Sequence, residues 1–161
     1  MDYQTADICD AHPQDVEVAE PILRHFGGNR RFHGETVTIK VYEDNVLVRE
    51  AVESPGEGRV LVVDGGGSLR RALLGDRLGA MAAENGWAGV IVNGCVRDSA
   101  ELSRTPVGVL AINSNPMKSN KNGDGDTGVS VSFAGVTIRP KHYIYADEDG
   151  WVVAPRALHT G

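Results

Sequence analysis

The chain has 161 residues, 41% apolar and 24% charged, the proportions of an ordinary globular protein, and one domain of that length buries a core without staples. Its formal charge of −6 excludes the basic face of a nucleic-acid binder, although a local arginine and a few backbone N–H groups suffice for a small anion. The two cysteines, Cys9 and Cys95, build no disulfide framework, the polar start MDYQTADICD is no signal peptide, and no apolar run approaches the roughly 20 residues of a membrane span, so a cytoplasmic protein is expected.

Thr5 before Ala6 and Asp7 reads as a helix N-cap. VEVAEPILRHFGG is interrupted by Pro21, which predicts a turn and then an extended piece before Gly27-Gly28. GETVTIKVYE has strand period, with Val37, Ile39 and Val41 against Thr36, Thr38 and Lys40. NVLVREAV (45–52) reads as a short helix ended by Pro55-Gly56. RVLVVDGGGS is an apolar run stopped by glycines, as in a strand buried on both faces. LRRALLGDRLGAMAAENGW is mostly helix-forming, broken near Gly75-Asp76 and closed by Asn85-Gly86. AGVIVNG is a second buried strand, DSAELSR a helical turn and VGVLAINSNP a third apolar run. SNKNGDGDTG is a loop by composition, and two hairpins follow, turning at Ala134-Gly135 and at Asp149-Gly150. The order gives a single α/β domain over residues 1–161, with loops at the carboxyl ends of central parallel strands, where open sheets bind ligands.

Three stretches invite a site. The glycines after RVLVVD lack both the Walker pattern and G-x-G-x-x-G with its later acid, so they read as a turn. The loop carrying Lys118, Lys121, Asp124 and Asp126 lacks calcium-loop spacing, and the five histidines (His12, His25, His33, His142 and His159) lack metal-ligand spacing. Arg97-Asp98 is different because Gly75-Asp76-Arg77-Leu78 also follows the end of a buried strand. Neighbouring parallel strands would deliver both pieces to one sheet edge, joining a forked cation, carboxylates for a hard metal ion and N–H groups at a helix start.

FGG (26–28), YEDN (42–45), GRVLVVDGGGSLRRALLGD (58–76), NGCVRD (93–98), FAGVTIRP (133–140) and YADEDGWVV (145–153) together resemble the RraA-like family. That family comprises regulators of ribonuclease E activity and class II 4-hydroxy-4-methyl-2-oxoglutarate aldolases, and the resemblance covers nearly the whole length. Its aldolase members pair a Gly-Asp loop with an Arg-Asp about twenty residues on and an acid three residues later. Gly75-Asp76, Arg97-Asp98 and Glu101 complete that pattern, whereas some regulators lack the acid after the arginine. Longer aldolases also place an acid from a C-terminal segment in the neighbouring subunit's site, for which the closing RALHTG has no counterpart.

The resemblance implies a three-layer β/β/α sandwich of the swivelling-domain type, assembled as a ring-shaped homotrimer or a dimer of trimers, with sites at subunit boundaries. A 2-oxo acid chelates Mg²⁺ or Mn²⁺ through its carboxylate and keto oxygens. Asp98 would anchor that metal and Glu101 would hold a metal-bound water. Arg97 would stabilise the enolate oxygen, and the N–H groups of Gly75, Asp76, Arg77 and Leu78 would receive the substrate carboxylate. Asp76 would orient the water that moves the proton. No lysine is expected at this site, which argues against a Schiff base. The expected activity is release of pyruvate from 4-hydroxy-2-oxo acids, with oxaloacetate decarboxylation through the same enolate. The alternative is a regulator that binds ribonuclease E through its acidic surface. A methyltransferase label attaches to some similar sequences, but nothing beyond the strand-plus-glycine run supports it.

Overall fold

The computed structural model describes residues 2–158. Helix α1 (Thr5–Ala11) opens the chain, but Thr5 is its first residue and not its cap. Both the N–H and the hydroxyl of Thr5 donate to the buried Asp147 carboxylate, each at 2.7 Å. The expected threonine cap is therefore corrected: a distant carboxylate takes the hydroxyl. Two short strands, β1 (Glu17–Val18) and β2 (Arg24–His25), flank the turn at Pro21. Strand β3 (Phe32–Lys40) alternates buried positions with more open ones for most of its length, and α2 (Val46–Glu53) buries Val48 and Val52 before Pro55.

Strand β4 (Val60–Asp64) is buried throughout, and the chain then turns at Gly66 and Gly67, both at positive φ. The expected long helix does not begin at Leu69. Ala72–Leu74 forms a further strand, β5, and helix α3 is confined to Asp76–Glu84. Strand β6 (Gly89–Val96) explains the difference. Strand β4 pairs with residues 89–93 of it and then leaves, and Ala72 and Leu74 take the vacated edge beside Cys95 and Val96. Sheet pairing satisfies the buried backbone there and overrides the helix propensity of the run. Helix α4 (Ser99–Leu102) and strand β7 (Gly108–Ser114) follow, with β7 parallel to β6.

Strand β8 (Asp126–Thr127) pairs with the end of β3. Strands β9 (Val131–Phe133) and β10 (Val136–Ile138) turn at Ala134 and Gly135, both at positive φ, as a tight hairpin requires. Strands β11 (Tyr143–Asp147) and β12 (Gly150–Ala154) form the second hairpin.

The main sheet runs β1-β12-β11-β3-β4-β6-β7-β2. Strand β3 is parallel to β4 on one side and antiparallel to β11 on the other, so the sheet folds over along it. One core, with Leu61, Val63, Val90, Val92, Val109 and Ala111, lies between the parallel strands and α2 and α3. The other, with Val60, Val62, Ile91 and Leu110 facing Ile138, Ile144, Trp151 and Val153, lies between the two β layers. This is the expected β/β/α sandwich. Helix α1 adds a cover on the outer face of β11 and β12, where Ile8 meets Tyr145 and Val152. Among the described residues no helix is long and apolar enough to cross a membrane.

Candidate active site

Strands β5 and β6 end side by side, and the Arg97 N–H donates to the Leu74 carbonyl at 2.9 Å where they stop. Gly75-Asp76 and Arg97-Asp98 therefore leave the sheet at one point. Gly75 has an ordinary extended backbone; space is what demands glycine there. An added Cβ would stand 2.7 Å from Asp98 Oδ2 and 3.3 Å from Arg97 Cγ. The same closeness lets the Asp76 N–H donate to Asp98 Oδ2 at 3.0 Å. Asp98 sits in the left-handed region, φ 57° and ψ 44°, one of the few conformations Asp tolerates outside the common ones. A non-glycine residue held there is a local strain of the kind that clusters at functional sites.

Electrostatics separates the two acids. The Asp76 carboxyl is held above its usual range, first by its hydrogen bond with the Asp98 side chain, then by burial and by repulsion from Asp98. Asp98 is held below its usual range, chiefly by the Asp76 N–H. In this pair Asp76 keeps a proton longer while Asp98 ionises readily. Among the described residues the Arg97 guanidinium reaches only the Pro116 carbonyl, at a long 3.5 Å. Its donors remain largely available to a ligand.

A cleft of about 160 Å³ opens here, and Gly75, Asp76, Arg77, Leu78, Arg97 and Asp98 all line it. Glu101 does not line it. One turn further on α4 and exposed, it is felt by Asp76 only through its charge. Asn45, Arg49, Lys118, Ser119 and Lys121 line the cleft as well, which the sequence did not suggest. The Ala72 N–H donates to the Met117 carbonyl at 2.8 Å, and this long-range tie folds the 115–122 segment back over the strand ends. Nothing in a local pattern announces it. The expectation that no lysine stands at the site is corrected. Both lysines are exposed and Lys121 Nζ donates to Asn45 Oδ1 at 2.8 Å, unlike the desolvated amine of a Schiff-base enzyme.

The other stretches serve structure. The N–H groups of Gly65, Gly66 and Gly67 are taken by Asn93 O, Asp64 Oδ1 and Asn93 O, so the glycine run offers none of them to a phosphate. Among the described residues no group of three His, Cys, Asp or Glu side chains stands ready as a metal cage, and His159 lies outside them, as do Thr160 and Gly161. The donor set at the cleft still suits one kind of ion. Two touching carboxyl groups form a hard oxygen edge, open to a cleft that admits water and substrate. Mg²⁺ and Mn²⁺ are commonly held that way, by one or two carboxylates with water and substrate oxygens.

The profile of the family described as RraA-like (Aldolase/RraA) matches residues 5–153. The chain is 56% identical over 158 residues, 98% of each sequence, to a protein of Ectopseudomonas mendocina (strain ymp) provisionally named 4-hydroxy-4-methyl-2-oxoglutarate aldolase. Two solved structures superpose with a TM-score of 0.95. One, from Geobacillus kaustophilus HTA426, is called an S-adenosylmethionine:2-dimethylmenaquinone methyltransferase; it is 51% identical and covers 99% of this chain and 100% of its own. The other, called the RNA-processing inhibitor RraA from Thermus thermophilis, is 45% identical and covers 99% of this chain and 96% of its own. Profile, sequence and fold agree over nearly the full length, and the chain belongs to the RraA-like family.

Proposed function

We propose that the protein is a class II aldolase of one domain that cleaves 4-hydroxy-4-methyl-2-oxoglutarate and similar 4-hydroxy-2-oxo acids to pyruvate and a second 2-oxo acid, and that it decarboxylates oxaloacetate. The observation that carries this reading is the contact of Asp76 with Asp98 beside a nearly unengaged Arg97 guanidinium. The names of the aldolase relatives point the same way. Asp98 would hold a divalent cation, Mg²⁺ or Mn²⁺, with Glu101 acting through a water. Once bound, that cation supplies Lewis-acid polarisation of the 2-oxo group.

The chain's own groups do the rest. At the start of α3 the Asp76 N–H is taken by Asp98 and the Arg77 N–H by the Asp76 carboxylate, so within residues 75–78 the N–H groups of Gly75 and Leu78 are the ones to hold the substrate's first carboxylate. Asp76, with its raised proton affinity, takes the proton of the C4 hydroxyl through a water. The C3–C4 bond then breaks and its electron pair moves into the C2 carbonyl. Arg97 donates to the oxygen on which this charge collects. Returning the proton to C3 gives pyruvate. Arg49, Lys118 and Lys121 on the cleft wall meet the second carboxylate, a use for cations crowded into one cleft of an acidic protein. The glycine run gives no support to methyl transfer, because it spends its N–H groups on its own turn.

The working form is a homotrimer, or two stacked trimers, in a reducing cytoplasm where Cys9 and Cys95 stay free. Tyr42, Leu69 and Met117, each more than half exposed, support this assembly. Tyr42 packs beside Gly66, and Asn115 bonds the backbone of both Leu69 and Met117, so the three belong to one rim near the cleft. A second reading, inhibition of ribonuclease E, rests on the likeness to the Thermus inhibitor and on the acidic surface. Such a contact would fade as salt rises, unlike chemistry in a sheltered cleft. Pyruvate release from 4-hydroxy-4-methyl-2-oxoglutarate, measured after chelation and again after adding Mg²⁺ or Mn²⁺, tests the main reading. Release should appear only with the cation, and its absence in both conditions would leave the inhibitor reading standing.

A further inference from the structure

A groove of about 440 Å³ lies among α1, the β1–β2 segment and the β11–β12 turn, and none of the strand-end residues described above lines it. Leu23, Leu110, Trp151 and Val152 give it apolar walls. The apolar surface continues past the groove. Val18 on its edge is 60% exposed, and Ile22, which lies outside the lining between Pro21 and Leu23, is 49% exposed. A small molecule seated in the groove would leave both in water. A chain segment laid across it, with one large side chain in the groove, would cover them.

Charge selects the segment. Glu20, Glu148 and Asp149 are exposed on the lining. Glu148 meets Arg31 at 3.5 Å, while Glu20 and Asp149 have no ion-pair partner among the described residues. Arg24, the one arginine or lysine on the lining, donates to Asn113 Oδ1 at 2.7 Å and lies over the Phe26 ring. Neither of those partners lines the groove, so the Arg24 guanidinium is engaged outside it. An apolar floor beside two unmatched carboxylates is complementary to a segment that pairs a large apolar side chain with a basic one, and it repels an acidic segment.

We propose that this groove docks a segment of a partner protein in which a large apolar residue stands next to arginine or lysine. The proposal does not depend on the aldolase reading, and it assigns to one groove what overall acidity leaves anywhere on the surface. Isothermal titration calorimetry of the full chain with the acetylated, amidated peptide Trp-Arg-Leu-Arg tests it. The peptide should bind saturably, and Ser-Arg-Ser-Arg and Trp-Glu-Leu-Glu should not. Glu20→Lys with Asp149→Lys should weaken binding about tenfold, the scale of two exposed ion pairs. Glu50→Lys with Glu84→Lys, at exposed positions of α2 and α3, changes the net charge equally and should leave binding as it was. Ala6→Phe, at an exposed position of α1 on the lining, fills the groove without touching a charge and should abolish binding. Failure of the wild type to bind, equal binding of Ser-Arg-Ser-Arg, an equal loss in the α2–α3 control or full binding by Ala6→Phe would each overturn the proposal. So would binding that appears only when dilution dissociates the assembly, since the groove would then be covered by a second copy of this chain.

Discussion

Beyond the end of β3, Asp44 accepts hydrogen bonds from the backbone N–H groups of Val46, Asn122 and Gly123, while its neighbour Glu43 accepts two from Arg70 and one from Ser68. Beyond β5 and β6, Asp76 and Asp98 have mainly each other. Burial raises the proton affinity of Asp44, but its N–H partners outweigh burial and leave it below the usual carboxylate range, whereas Asp76 is pushed above. Both regions cap strand ends of one sheet. The first has its negative charge matched by donors and ties the 120–123 loop to the fold. The second leaves charge unmatched, and it does so where a cleft and a spare guanidinium are available. An acid with complete partners reads as structure, and an acid with an acid for a partner reads as a site.

Breaking the second region should cost function most. Arg97→Lys keeps the charge but loses the planar fork, and turnover in pyruvate release should fall about a hundredfold, the scale of one lost oxyanion donor. Steady-state kinetics would check this, and an unchanged kcat would make Arg97 a boundary residue. On the cleft wall, Lys121→Ala should raise KM for 4-hydroxy-4-methyl-2-oxoglutarate about tenfold with little change in kcat, because its charge meets the substrate before and during bond breaking alike. Breaking the first region should instead cost stability. Asp44→Ala strands three backbone donors and should lose about 2 kcal/mol, or about 6 °C in Tm by calorimetry.

The same contrast sets the pH dependence. Asp44 and Asp147 both lie below their unfolded value of about 3.9, so their stabilisation is present above that pH and is lost as pH falls through their folded values. For Asp147 too, burial opposes the shift and the donors from Thr5 and Asp149 outweigh it. Asp76 has the opposite sign. Its ionisation works against folding at neutral pH, and the penalty disappears in acid once the group is protonated in both states. In chelator-treated protein, Asp76→Asn should raise Tm by about 2 °C at neutral pH, with the gain vanishing in acid. A lower Tm at neutral pH would mean that the two acids are as well matched as Asp44.

Much of the sandwich was legible because its strands carry their burial in their composition. VLVVD and GVIVNGCV have few places to sit except inside a parallel sheet, and Ala134-Gly135 marks its own hairpin. Strand β5 was not legible, because three residues carry no period and only the edge left by β4 gives them a partner. The site divides the same way. That Gly75-Asp76 and Arg97-Asp98 meet was reasoned from the parallel pairing of the RVLVVD and AGVIVNG strands, but it is the unforeseen β5 that delivers Gly75-Asp76. Lys118, Lys121, Asn45 and Arg49 reach the cleft through tertiary ties such as Ala72 to Met117, which leave no trace in local sequence. The resemblance put Glu101 at the metal through a water, and α4 sets it outside the cleft lining, so only such an indirect role is open to it.

The central claim of the proposed function is that Asp98, in contact with Asp76, would hold a divalent cation, and Mn²⁺ binding tests it most directly. Electron paramagnetic resonance of free Mn²⁺, titrated against chelator-treated protein with saturating pyruvate, reports occupancy without relying on turnover. The wild type should take up one Mn²⁺ per chain, and Asp98→Ala, still folded by circular dichroism, should take up none over the same range. Equal uptake by the two proteins would contradict the account.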